Sequence, residues 1–191
     1  MSSQRRPEEI TVLLGKWSDG DRQARDAVMQ AVYGELCVIA HRHLDGEFGS
    51  RTLNTSDLVH ELYLKLSRTE RIPSRSRAQF FGIAARQMRQ ILVDRARSRC
   101  AQKRGGGARL ETLDEGRLHA AEQARNLLDV DRALERLAAD QPRAVRVVEM
   151  RFFAGMTMAE IAEAVGTSLA TVERDWTVAR AWLMRELAGP R

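Results

Sequence analysis

Apolar residues recur along this chain at intervals of three and four, the spacing that gathers them on one face of an α-helix, and no alternating strand pattern interrupts them. Ile10, Leu13, Leu14 and Trp17 predict a short helix over 8–17, stopped by Ser18-Asp19-Gly20. Ala24, Val28, Ala31, Val32, Leu36, Ile39, Ala40 and Leu44 carry a second amphipathic stripe over 21–45. A polar loop with Gly46 and Gly49 follows, and Asn54, Thr55 or Ser56 caps a helix that ends near Ser67. Pro73 marks another loop, and a long helix runs from about 78 to 100. Gly105-Gly106-Gly107 breaks the chain. Leu127, Leu128, Val130, Leu134 and Leu137 then predict a helix over 126–139, and Pro142 suits the first turn of the next. The pattern predicts an all-α protein, two small helical domains over 8–100 and 126–188 joined by a flexible linker over 101–125.

The stretch TMAEIAEAVGTSLATVERDW, residues 157–176, carries the most specific local signal. Thr157 and Glu160 have the spacing of a capping box, which starts a helix. Ala162 is small where two crossing helices touch, Gly166 supplies a turn of positive φ, and Val172 packs the second helix back on the first. Ser168 caps that second helix. These are the mechanical requirements of a helix-turn-helix. Its second helix brings Ser168, Thr171, Glu173, Arg174 and Thr177 toward base edges and phosphates, with Arg180 and Arg185 following along the backbone. Glu173 repels phosphate unless it accepts a bond from cytosine. Trp176 and Trp182 read as core.

Charge changes the picture in the middle of the chain. The whole protein has 191 residues and a net charge of +5. Residues 77–104 hold eight Arg or Lys against the lone Asp94, whereas 111–141 hold eight acids against four arginines. The basic block points to a polyanion. On the helix that carries it, Phe81, Ala84, Met88, Ile91 and Leu92 share a core face. Phe80 lies about 100° away and, with the loop 69–77, remains a candidate for handling an unstacked base. Arg77, Arg86, Arg89, Arg95, Arg97 and Arg99 spread over the exposed sides as phosphate contacts.

Upstream, DLVHELYLKL (57–66) buries Leu58, Val59, Leu62 and Leu66 and shows Asp57, Glu61 and Lys65 on its other side. An acidic DLVHE helix, a Pro-containing loop and then FFGIAARQMRQILVDRARSR resemble the second region of bacterial extracytoplasmic-function (ECF) sigma factors. RFFAGMTMAEIAEAVGTSLATVERDWTVARAWLMREL resembles their fourth region, so the likeness covers roughly 8–188 in the right order. It implies a sigma factor that binds core RNA polymerase, at the β′ clamp and the β flap, and directs initiation at promoter DNA. It casts Asp57, Leu58, His60, Glu61 and Leu64 as polymerase contacts, with His60 where more distant members carry glutamine. Arg77, Phe80, Arg86, Arg89, Arg95, Arg97 and Arg99 fall where the family opens the minus-10 element. Ser168, Thr171, Glu173, Arg174, Thr177 and Arg180 fall in its minus-35 reader, and 101–125 in the linker that threads toward the polymerase active site. An anti-sigma factor is among the partners the likeness allows, and the free chain is expected to be a monomer.

The rival reading is a stand-alone helix-turn-helix regulator with an N-terminal dimerisation or effector domain. Catalysis finds little support. His60-Glu61 lacks the second histidine of HExxH, since Leu64 stands there, and His41 and His43 point about 200° apart on a helix. No metal or other cofactor is expected. Cys37 and Cys100 are single and far apart, and read as reduced structural thiols. No run of about 18 apolar residues suggests a membrane span, and MSSQRRPEE does not read as a signal peptide, so a cytoplasmic protein is expected.

Overall fold

The computed structural model describes residues 7–45, 55–105 and 115–188. Eight helices account for nearly all of them: α1 (Pro7–Ser18), α2 (Arg22–Asp45), α3 (Thr55–Ser67), α4 (Arg77–Gly105), α5 (Glu115–Asp140), α6 (Pro142–Phe153), α7 (Met158–Val165) and α8 (Leu169–Leu187). Among the described residues there is no strand, and no helix is long and apolar enough to cross a membrane.

The first four helices close around Leu14, Trp17, Val32, Leu36, Leu58, Leu62 and Ile72, all essentially without exposed surface. Each such side chain contributes roughly 1.5–3 kcal/mol by leaving water. In the C-terminal half, α6 and α8 pack on each other and on α5. There Leu134, Leu137, Val145, Val148 and Ala179 form a second, smaller cluster, with Trp176 and Trp182 packed against it.

Of the segment expected as a linker, 101–125, both ends are helical and 106–114 lie outside the described residues. Helix α4 continues to Gly105 and α5 already begins at Glu115, so 115–125 is helical. Apart from Gly116 that segment is built of residues that sit comfortably in a helix. Gly106 and Gly107 lie outside the described residues, as do Gly46, Gly49 and Asn54.

Nor do the halves stand apart. Helix α4 packs on α1 and α3 on one side and on α5, α6 and α7 on the other. The main apolar cluster accordingly runs from Ile10 through α4 to Val147, Phe153, Ile161 and Val172 of the C-terminal half. Gly82 marks a close approach, since a Cβ built there would lie 2.6 Å from the Met150 methyl carbon of α6. The two-sided position of α4 explains why Phe80, Ala85, Val93 and Ala96 are buried along with the predicted face of Phe81, Ala84, Met88, Ile91 and Leu92.

Candidate nucleic-acid interface

The helix-turn-helix is α7, a short turn and α8. Thr157 begins α7: its backbone N–H donates to Glu160 Oε2 at 2.8 Å, and Glu160 N–H donates to Thr157 Oγ1 at 3.2 Å. Gly166 ends α7 at φ 69°, ψ 41°, a left-handed conformation that L side chains resist. Ser168 then caps α8, accepting from Thr171 N–H at 3.2 Å. Val172 is fully buried against α7, and Ala162 nearly so. Asp175, also buried, is held by Arg143 of α6 through two guanidinium nitrogens. That bridge ties α8 to α6, and because it spans 32 residues no local signal announces it.

Burial of Val172, Asp175 and Ala179 fixes which face of α8 points outward. Ser168, Glu173, Arg174, Thr177 and Arg180 are exposed, and Thr171 is half-buried. All six predicted minus-35 residues therefore cluster at the start and outer side of one helix. Leu169 and Val178 join them, 46% and 45% exposed, and were not singled out by the sequence pattern. Apolar side chains on such a face suit the methyl group of thymine. Thr177 is partly occupied, since its hydroxyl donates to the Glu173 carbonyl at 2.8 Å.

On α3 the predicted polymerase contacts divide. Asp57, His60 and Leu64 are exposed, and Glu61 is half-buried. Leu58 is 0% exposed and belongs to the core, so as a surface contact it is corrected: it holds α3 in place. Glu61 accepts from Arg95 Nε at 2.9 Å, and Lys65 lies 3.6 Å from Asp94, so two ion pairs fasten α3 to α4.

Helix α4 departs furthest from expectation. Phe80 is fully buried between Trp17 and Phe81, its ring centroid 6.2 Å and 5.5 Å from theirs, and is not displayed to a base. The arginines are mostly engaged by carboxylates. Arg77 pairs with Glu35, reaches Glu160 of α7 at 3.8 Å and lies over the Phe81 ring at 4.7 Å. Arg89 is enclosed. Its Nε and Nη2 donate to Asp131 Oδ1 at 3.0 and 2.7 Å, and its Nη1 donates to Glu149 Oε1 at 2.7 Å. Arg97 Nη2 donates to the other oxygen of Asp131 at 3.0 Å. Arg86 is exposed and Arg99 half-buried.

The cluster of Arg89, Arg97, Asp131 and Glu149 balances two positive charges against two negative ones. Three of its members are secluded, with side chains 11% (Arg89), 7% (Asp131) and 8% (Glu149) exposed. Removing one partner from such a buried set costs about 3–5 kcal/mol, because the other charge stays desolvated and unpaired. It forms one wall of a cleft of about 590 Å³ between α4, α5 and α6, with Arg86 and Arg146 at its lining. Among the described residues, no group of three or more His, Cys, Asp or Glu is placed to hold a metal ion.

A family model described as ECF sigma factor matches residues 7–189, nearly the whole chain. No curated protein matches it.

Proposed function

The chain belongs to the ECF sigma factor family, whose role is in transcription initiation, and on that premise we propose that it binds core RNA polymerase and directs it to promoters by reading two DNA elements. Helix α8 is the minus-35 reader, entering the major groove with Arg174 and its exposed neighbours. Helix α3 docks on polymerase through Asp57, His60, Glu61 and Leu64. The loop 69–77 and α4 engage the opened minus-10 strand, with arginines on phosphates. Two tethered readers multiply each other's effective concentration, so neither needs high affinity alone.

The observation that carries this reading is the outer face of α8. It bears Arg174 and Arg180 among exposed polar side chains, with Leu169 and Val178 beside them, while Val172, Asp175 and Ala179 on the opposite side are buried. The test is run-off transcription from genomic templates with purified core enzyme. Promoter-dependent transcripts that require the protein are expected; their absence, together with no binding to core, would sink the reading.

A further inference from the structure

The segment that joins α3 to α4 is basic and fixed in place. Residues 68–77 hold four arginines and one acid, Glu70. Arg68, Arg71, Pro73 and Arg75 are exposed, whereas Ile72 and Ser74 are each 1% exposed. From 71 to 75 exposed and buried residues therefore alternate, which turns Arg71, Pro73 and Arg75 outward together. Hydrogen bonds hold that arrangement. Ser74 N–H donates to the Ile72 carbonyl at 2.8 Å, and Ser74 Oγ donates to the Ser76 carbonyl at 3.0 Å. Ser76 caps α4 by accepting from Gln79 N–H at 3.2 Å, and Gln79 Oε1 reaches back to accept from Arg75 N–H at 2.9 Å. At the other end the Trp17 indole donates to the Thr69 carbonyl at 3.4 Å.

The cations here differ from those along α4. Arg77, Arg89, Arg95 and Arg97 are each held by a carboxylate. Among the described residues, no carboxylate pairs with Arg68, Arg71 or Arg75, and Glu70 beside them is no exception.

We propose that Arg68, Arg71 and Arg75 hold the phosphates of a single DNA strand, and that they, more than the paired arginines of α4, supply the electrostatic part of its binding. The proposal deepens the minus-10 reading of this region and rests on it. A guanidinium already forked onto a carboxylate must release it to take a phosphate, and the exchange returns little. An arginine that stands in water without a partner gives up no such bond. Each one that meets a phosphate releases counterions from the strand, which favours binding and makes it salt-dependent. The pinned loop adds preorganisation, because its backbone is ordered before the strand arrives. Pro73, its φ fixed by the ring, stiffens the stretch between Arg71 and Arg75.

The experiment titrates full-length protein with a random-sequence single-stranded DNA oligonucleotide over a range of salt, since phosphate contacts do not depend on sequence. The triple variant Arg68→Gln, Arg71→Gln, Arg75→Gln is expected to bind about 10–100-fold more weakly at about 0.1 M salt, and to flatten the slope of log affinity against log salt by about two. Its melting temperature is expected to match the parent's, because none of the three side chains has a bond to lose, and that match certifies the fold. Arg71→Gln and Arg75→Gln alone are each expected to flatten the slope by about 0.7, so the proposal does not hang on the triple variant. A charge-matched variant, Arg125→Gln, Arg132→Gln, Arg136→Gln, removes exposed arginines of α5 and is expected to keep the parental slope. A parent that fails to bind the oligonucleotide in low salt overturns the proposal. Loop variants with parental affinity and slope overturn it as well. A charge-matched variant that loses as much as the loop variant assigns the effect to net charge, and also overturns it. The promoter reading fails separately, by absent run-off transcripts, and ordinary transcripts with parental slopes in the loop variants remove the loop contacts alone.

Discussion

The indole of Trp17 and the ring of Phe80 meet with centroids 6.2 Å apart and planes inclined by 51°, and neither has any exposed surface. Phe80 thus joins α4 to α1. Truncating it leaves a cavity that the ring of Phe81, edge-on at 5.5 Å, cannot fill without moving. Phe80→Ala is expected to lower unfolding free energy by about 3–5 kcal/mol, read as a shift in the urea midpoint. A variant of parental stability would contradict the burial.

Arg174 stands on the outer face of α8 with no side-chain role in the core. Arg174→Ala is expected to leave the melting temperature within error and to cost about 1–3 kcal/mol of affinity for duplex promoter DNA if the guanidinium reads a base. If it touches only phosphate, the loss is uniform across sequences and the salt slope falls by about one. Affinity and slope that both stay put would remove Arg174 from the interface.

Gly166 is a test of backbone alone. Its φ of 69° is strained for any other residue, yet a Cβ there would meet nothing within 4 Å. Gly166→Ala is expected to destabilise by about 1 kcal/mol, a fall in melting temperature of about 2–4 °C for a chain of this size. Gly166→Asn is expected to recover part of that loss, because asparagine tolerates the left-handed region.

Glu160 gives a pH signature. The Thr157 backbone N–H that donates to it holds its carboxyl below the ordinary carboxylate range; partial burial opposes this, and the Thr157 hydroxyl and the Arg77 charge add to it. A carboxyl with a lowered folded-state pKa stabilises the fold above its unfolded value, and that contribution is lost as pH falls through the folded one. The stability gap between parent and Glu160→Gln is therefore expected to be open at neutral pH and to close on acidification below the usual glutamate range. A gap that does not change with pH would assign the effect to shape rather than charge. Thr157→Ala, which removes the cap itself, is expected to cost about 1 kcal/mol.

The helix-turn-helix was legible because everything that makes it is local. Thr157 and Glu160, Ala162 and Gly166, and Ser168 and Thr171 lie within four residues of each other, and each pair acts where the spacing puts it. The arginine helix was legible only as a helix. Its partners lie far along the chain, 42 residues away for Arg89 and Asp131 and 60 for Arg89 and Glu149, and no helix wheel contains them. The same limit misplaced Phe80. Seen alone, α4 has one core face; Phe80 lies off it and is buried against Trp17 of α1, a partner that a helix wheel of α4 does not contain. Leu58 shows a milder form of the problem, since a motif can align with a docking helix while one of its residues points inward.

The apolar cluster that passes from Ile10 in α1 to Val172 in α8 has a calorimetric consequence. Two domains on a tether melt separately, each with its own enthalpy. Two halves that share one core melt as one unit, and the heat absorbed then equals the enthalpy inferred from the steepness of the transition. The free chain is expected to give that single endotherm. Anything that holds the halves apart splits the core at Gly82 and Met150, and so turns one cooperative molecule into two weaker ones.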